Sequence, residues 1–153
     1  MTETRGTAAL TAAGVPYTVR TYPHREKGAL PAAQALGLPP GRVAKTLVIE
    51  AGGDAAFAIL PGDLELSLKR AARALGARAA AMADPRDAER LTGYRTGGIS
   101  AFGSRRALPV LVEATLMEHD TVLVNAGGRG VMVELAPDDL VAAAGATVAE
   151  LGA

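Results

Sequence analysis

Apolar and polar residues change places along this chain in short runs, and the period of the runs shifts wherever a glycine or proline intervenes. Val15-Pro16-Tyr17-Thr18-Val19-Arg20-Thr21-Tyr22 is rich in β-branched and aromatic residues, which predicts a strand with its proline near the start. Thr46–Glu50 and Ala55–Leu60 predict two more strands, joined by the hairpin signal Gly52-Gly53-Asp54. Further strands are expected at Arg78–Met82, Leu108–Glu113, Thr121–Asn125 and Val131–Leu135, the last two separated by Ala126-Gly127-Gly128-Arg129-Gly130.

Helical spacing is clearest at Leu68, Ala71, Ala72 and Leu75, which fall at i, i+3, i+4 and i+7. Ser67 is placed to cap that helix and Gly76 to end it, with Lys69, Arg70 and Arg73 on its outer face. Asp84-Pro85 supplies an N-cap and a first-turn proline for a second helix, which Asp87 favours electrostatically and Gly93 closes. Shorter helices are expected at 4–13 before Gly14, at Pro31–Leu36 before Gly37, and between Pro137 and Gly145. Pro23–Gly28 and Pro39-Pro40-Gly41 read as loops. Strands outnumber helices and follow one another mostly in hairpin order. An α+β fold with a mixed or antiparallel sheet, open or closed as a barrel, is therefore expected over a doubly wound parallel one. The 153 residues fit one domain, 1–153.

Composition narrows the picture. Apolar residues make up 49% of the chain, enough for one core, but aromatics are only 3% and tryptophan is absent, so Ala, Leu and Val must fill it. Tyr17, Tyr22, Tyr94, Phe57 and Phe102 offer few faces for stacking bases, which argues against general single-strand binding. With no cysteine there is no disulfide, zinc knuckle or protein thiol nucleophile. No signal peptide is evident, and no uncharged apolar run approaches the roughly 20 residues that span a bilayer, so a soluble protein of the reducing cytoplasm is expected. Net charge is zero, yet Lys69 to Arg106 carries nine Lys or Arg against three acids, a local +6. Such a run is a solvated face or a surface for a phosphate backbone.

His24 and His119 lie far apart and lack ligand spacing, so neither metal nor cofactor is expected. There is no GxSxG elbow, no GxxxxGK[ST] and no strand-following GxGxxG. What stands out is Lys45 at a strand entrance and the segment Thr92 to Gly103, with four glycines in twelve residues. Gly97-Gly98 marks a tight corner, or a place where exposed N–H groups surround a developing oxyanion. Lys45 is a surface charge, or a grip for a phosphate or ribose.

Five ordered segments carry a resemblance: Lys45-Thr46-Leu47-Val48, Met82-Ala83-Asp84, Thr92-Gly93-Tyr94, Gly97-Gly98-Ile99-Ser100, and the Val124–Gly130 turn followed by Val133-Glu134-Leu135. With Thr21-Tyr22 near the start, the chain resembles the YbaK/EbsC family of prolyl-tRNA editing domains from about Gly14 to Leu151. The resemblance implies a mixed, mostly antiparallel β-barrel-like sheet flanked by helices, and a metal-free cleft for the aminoacylated 3′ end of tRNA. It implies a trans-acting aminoacyl-tRNA deacylase for mischarged tRNA(Pro), with Cys-tRNA(Pro) the first candidate. Ala- or Ser-tRNA deacylation and a non-catalytic tRNA-end-binding module are the alternatives, and a transient complex with prolyl-tRNA synthetase is left open.

Carried over residue by residue, Lys45, Gly97, Gly98 and Ile99 match the catalytic positions, with Lys45 contacting the terminal adenosine or its phosphate and the loop holding the carbonyl. Tyr22 matches an aromatic at the pocket mouth, Thr46 and Ser100 match flanking substrate contacts, and Asn125, Gly127 and Gly128 match the opposite wall. Two departures are visible. Ala101 stands where the loop usually continues with proline, and Arg129-Gly130-Val131-Met132-Val133-Glu134-Leu135 replaces the RGLDIEL of many cysteine-specific members.

Overall fold

In chain order the elements are α1 (Arg5–Ala12), β1 (Thr18–Thr21), α2 (Ala29–Leu36), β2 (Ala44–Ala51), β3 (Asp54–Pro61), α3 (Leu68–Ala74), β4 (Ala80–Met82), α4 (Pro85–Thr92), β5 (Val110–Glu113), β6 (Val122–Gly128), β7 (Val131–Leu135), α5 (Pro137–Ala144) and β8 (Thr147–Ala149). Short 3-10 turns lie at Pro40–Arg42 and Ala114–Glu118. The structure is a computed structural model that describes residues 3–23 and 29–153. His24 and the rest of the expected turn to Gly28 lie outside the described residues.

Local chemistry accounts for most boundaries. The Ser67 hydroxyl accepts from the Arg70 N–H and the Asp84 carboxylate from the Arg86 N–H, capping α3 and α4. Gly93 and Gly145 end α4 and α5 in the left-handed conformation. Gly52 and Gly53 both have positive φ, as a two-residue type I′ turn requires, so β2 and β3 pair without a bulge from Ala44↔Pro61 to Ala51↔Asp54.

Three strands are shorter than their sequence patterns, two because the flanking backbone is already engaged and one because a proline lacks the donor. The expected strand from Val15 starts at Thr18, because the Val15 N–H closes the end of α1 on the Leu10 carbonyl. The one expected from Arg78 starts at Ala80, after the Ala77 N–H has bonded Ala72 at the end of α3. The Leu108 strand starts at Val110, since Pro109 has no N–H and only its carbonyl joins the ladder, accepting from Phe57. In the other direction, α2 begins at Ala29, two residues before the expected start.

The sheets are mixed. One has the order β4-β2-β3-β5-β8, antiparallel around β2 and parallel from β3 through β5 to β8. The other is β1-β7-β6, antiparallel throughout. A parallel bridge between Val43 and Leu123 brings them together at the start of β2, and the array stays open rather than closing into a barrel.

The five-stranded sheet is covered on both faces. Phe57, Ile59, Val110 and Val112 join the larger core with Val124 and Val133 of the other sheet. Ala56, Ala58 and Leu111 face α3, Ile49 and Leu151. Alanines on this second face let the helix approach closely. Fully burying Phe57 contributes roughly 1.5–3 kcal/mol, the scale that large apolar side chains supply in this aromatic-poor core.

Candidate functional site

The entrance of β2 opens into a cleft of about 270 Å³ where several separate parts of the chain meet. Lys45, Thr46, Leu47 and Val48 of β2 line one side. Met82, Ala83, Pro85 and Ala88, from the end of β4 and the start of α4, line another. Thr96, Gly97 and Ile99 of the glycine loop face Asn125 of β6, and Tyr22 and Ala29 complete the wall.

Lys45 is half-buried and forms no ion pair among the described residues. Beside it, the Thr46 hydroxyl is buried and is the one described side-chain polar atom so placed without a hydrogen-bond partner. A buried polar group left unpaired costs free energy, so this hydroxyl lacks the partner that buried polar groups ordinarily have. Tyr22 donates its backbone N–H to the Gly130 carbonyl at 3.0 Å, and partial burial raises the pKa of its phenol above the ordinary tyrosine value. Among the described cleft residues only Lys45 and Tyr22 carry titratable side chains.

The glycine loop is built by a β-turn. The Gly98 N–H donates to the Arg95 carbonyl at 2.9 Å, and Gly97 at φ 97° occupies the third turn position, which in a type II turn requires positive φ. That bond uses the Gly98 donor. The N–H groups of Gly97 and Ile99 have no protein acceptor among the described residues. Gly98 itself is needed for space: a Cβ there would lie 3.0 Å from the Gly128 carbonyl carbon and 3.1 Å from the Arg129 nitrogen. The loop thus lies directly against the β6–β7 turn. A Cβ on Gly127 would meet the Tyr94 ring at 2.5 Å, and the Tyr94 hydroxyl donates to the Phe102 carbonyl, closing the same loop. Arg5 stacks over that ring at 4.6 Å.

Of the residues singled out from sequence, Lys45, Thr46, Gly97, Ile99, Tyr22 and Asn125 meet in the cleft. Gly98, Ser100, Gly127 and Gly128 do not line it. Ser100 is fully buried, and its hydroxyl accepts the Phe102 N–H at 3.0 Å, shaping the loop from behind. Gly98, Gly127 and Gly128 give the loop and the turn their close contact. Asn125 owes its place to the irregular register between Asn125 and Gly128 of β6. The sequence reading did not assign Met82, Ala83, Pro85, Ala88 or Thr96 to the site, although Met82-Ala83-Asp84 was among the resembling segments. Met132 is buried beneath α2 with Val43 and Leu123, in the cluster that also holds Ala29 and Tyr22 of the cleft wall, and does not itself line the cleft. His119 lies in a separate depression with Arg42, Glu118, Asp120 and Thr121. Lys69, Arg70 and Arg73 are exposed on α3, with Arg70 donating to the Gly152 carbonyl. No described helix is long and apolar enough to cross a membrane.

Comparison with known proteins gives the family and the fold. An aminoacyl-tRNA editing domain model matches residues 26–143. A relative from Enterococcus faecalis, named "Putative Cys-tRNA(Pro)/Cys-tRNA(Cys) deacylase EbsC", is 34% identical over 120 residues, 78% of this chain and 73% of that protein. A proline–tRNA ligase from Acidithiobacillus ferrooxidans is 35% identical over 81 residues, 53% of this chain but 14% of the ligase. A crystal structure described as a putative trans-editing enzyme for prolyl tRNA synthetase superposes with a TM-score of 0.89 at 29% identity, over 97% of this chain and 95% of the other. With the family model covering most of its length and the fold shared end to end, this chain belongs to the aminoacyl-tRNA editing domain family.

Proposed function

We propose that the chain is a trans-acting aminoacyl-tRNA deacylase that hydrolyses mischarged tRNA(Pro) in this cleft, with Cys-tRNA(Pro) as its first substrate. The observation that carries the reading is the cleft's chemistry. A lysine ammonium, an unpartnered buried hydroxyl and two spare backbone N–H groups converge there, and no described carboxylate, histidine or thiol lines it. This arrangement suits binding an ester and stabilising its charge better than activating a nucleophile.

Size favours a small acyl group. About 270 Å³ is just under the roughly 300–1,000 Å³ of ordinary ligand pockets, enough for a short side chain and its ester with the ribose at the mouth. In this reading Lys45 holds the terminal adenosine or its phosphate, the Thr46 hydroxyl pairs with a polar group of the aminoacyl moiety, and the Gly97 and Ile99 N–H groups hold the carbonyl oxygen as it becomes negative. Tyr22 and Asn125 bound the mouth and the far wall. Gly98, Gly127, Gly128 and Ser100 act by shaping that wall.

The cysteinyl ester brings the missing nucleophile. Its thiol attacks its own carbonyl carbon, a C–S bond forms, the C–O bond to ribose breaks, and the thiol proton passes to the departing ribose oxygen; water then opens the C–S bond of the cyclic thioester, giving free cysteine and completing the hydrolysis. Making the attack intramolecular lowers the barrier by on the order of 7 kcal/mol or more in good geometry. Alanyl and seryl esters need a bound water instead, activated by backbone or ribose groups. The apolar wall of Ala83, Ala88 and Ile99 accepts a methyl side chain as readily as a thiol, and this observation keeps alanine as the second substrate.

The substrate partner is the aminoacylated 3′ end of tRNA, and prolyl-tRNA synthetase is the source of the mischarged species and a candidate for transient association. Incubating the protein with Cys-, Ala-, Ser- and Pro-tRNA(Pro) tests the reading. Loss of one or more of the first three with Pro-tRNA(Pro) spared supports it. Survival of all three rejects catalysis, and tight binding without turnover would leave a tRNA-end-binding module.

A further inference from the structure

Thr96 is gripped on both of its peptide groups, by a residue of the preceding helix and by one 33 positions further along the chain. Its N–H donates to Glu89 Oε2 on α4 at 2.7 Å, and its hydroxyl points to the same oxygen at 3.3 Å. Its carbonyl accepts two bonds from the Arg129 guanidinium, from Nε at 3.1 Å and Nη2 at 2.9 Å. Arg129 belongs to the β6–β7 turn, whose Gly128 backbone lies against Gly98. Neither Glu89 nor Arg129 lines the cleft, yet each is fixed to a segment that does: Ala88 precedes Glu89, and Asn125 lies on the strand that leads to Arg129.

Three walls of the cleft are therefore tied together through the two peptide groups of Thr96, immediately before Gly97. A forked guanidinium on a carbonyl and a carboxylate on an N–H are charge-assisted bonds with little freedom of direction. Arg129 thereby fixes the Thr96–Gly97 plane that carries the Gly97 N–H, and Glu89 fixes the Arg95–Thr96 plane that precedes it. The bond from the Thr96 N–H also holds the Glu89 carboxyl below its usual range, helped by the Thr96 hydroxyl and by the nearby Arg95 and Arg129 charges, so Glu89 remains the ionised acceptor near neutral pH.

Resting on the deacylase reading above, we propose that Glu89 and Arg129 are positioning residues for the editing reaction, locking the two peptides that flank the Thr96 Cα so that the Gly97 edge of the cleft stays aligned with the walls from α4 and β6. Loosening a preorganised donor by a fraction of an ångström costs rate more than binding, because the interaction matters most as charge develops.

The test combines kinetics with amide exchange on full-length protein. Glu89→Ala and Arg129→Ala are each expected to lower kcat on the order of ten- to a hundredfold with KM little changed. Glu89→Gln keeps a carbonyl acceptor for the Thr96 N–H and is expected to recover most of the loss. The double variant should lose little more than the worse single one, since both residues hold the same residue, Thr96, from its two sides. Asp87→Asn, an exposed carboxylate on the same helix that bonds only Arg90 among the described residues, should behave as wild type. Wild-type kcat in Glu89→Ala, a loss residing wholly in KM, or equal defects in Glu89→Ala and Glu89→Gln would overturn the proposal. Exchange of the Thr96–Gly98 amides should be faster in both alanine variants, and unchanged exchange would overturn the clamp whatever the activity. If the wild-type protein deacylates nothing while exchange still accelerates, the deacylase reading falls and the clamp stands.

Discussion

The strand β2 begins in the cleft and ends in a turn that touches almost nothing, and glycines govern both regions for different reasons. At the β2–β3 turn, Gly53 has φ 85° and open space around it, so glycine serves the backbone angle alone. At the cleft, Gly98 has no positive φ, yet a side chain there would press on the backbone of Gly128 and Arg129. Gly127 needs both, with φ 98° and the Tyr94 ring where its Cβ would be. A glycine needed only for its angle marks a turn. Glycines needed for space, on two loops pressed against each other, mark a wall built to a set shape.

Substitutions can break that contrast. The largest effect is expected at Gly127→Ala, where positive φ and the clash with Tyr94 combine to cost on the order of 3 kcal/mol, read as a lower denaturant midpoint, together with loss of deacylation. Next is Lys45→Ala at the cleft end of β2. Losing a charge-assisted contact should lower kcat/KM for the mischarged tRNA about ten- to a hundredfold, with thermal unfolding unmoved because no described ion pair is lost.

Glu134→Gln probes what holds the cleft end of β2 to the other sheet. Glu134 on β7 accepts from Arg20 on β1 at 2.7 Å, from Arg42 just before β2 at 3.0 Å, and from the Thr121 hydroxyl at 2.6 Å. The Thr121 bond is the main cause holding its carboxyl below the usual value of 4.5; partial burial opposes it, and Arg20 and Arg42 reinforce it. A depressed folded pKa contributes stability that is complete above the unfolded value and disappears as pH falls through the folded one. The variant should therefore be about 1–2 kcal/mol less stable at neutral pH, with the gap to wild type narrowing below about pH 4.5 in urea titrations. The smallest effect belongs to the open turn. Gly52→Asn yields the Asn-Gly pair favoured in type I′ turns, its Cβ would be an ordinary 3.7 Å from that of Ala77, and stability should move by no more than about 0.5 kcal/mol.

The same contrast explains what sequence made legible. The Gly52-Gly53 turn, the Ser67 and Asp84 caps and the stops at Gly93 and Gly145 are local signals, and the chain obeys each one. The strands expected from Val15 and Arg78 start later because a neighbouring helix has already claimed the backbone, and the one from Leu108 because Pro109 has no N–H to pair. The strand β8, only Thr147–Ala149, was not anticipated, because three residues carry no usable period and its parallel pairing with β5 is long-range. Glu113 illustrates the same limit. Its buried carboxylate accepts from Thr115 and from the Leu151 and Gly152 N–H groups, a tie spanning 38 residues that no motif announces. In the site, the glycine loop and Lys45 were visible as residue types, whereas the unpartnered Thr46 hydroxyl and the Glu89–Thr96–Arg129 clamp exist only once distant segments meet.

The most direct test of a cleft that positions an ester supplying its own nucleophile is the single-turnover rate for Cys-tRNA(Pro), compared with the same tRNA carrying S-methylcysteine. The expected result is rapid clearance of the free-thiol ester and persistence of the capped one. Equal rates for the two esters, or survival of both, would contradict the account.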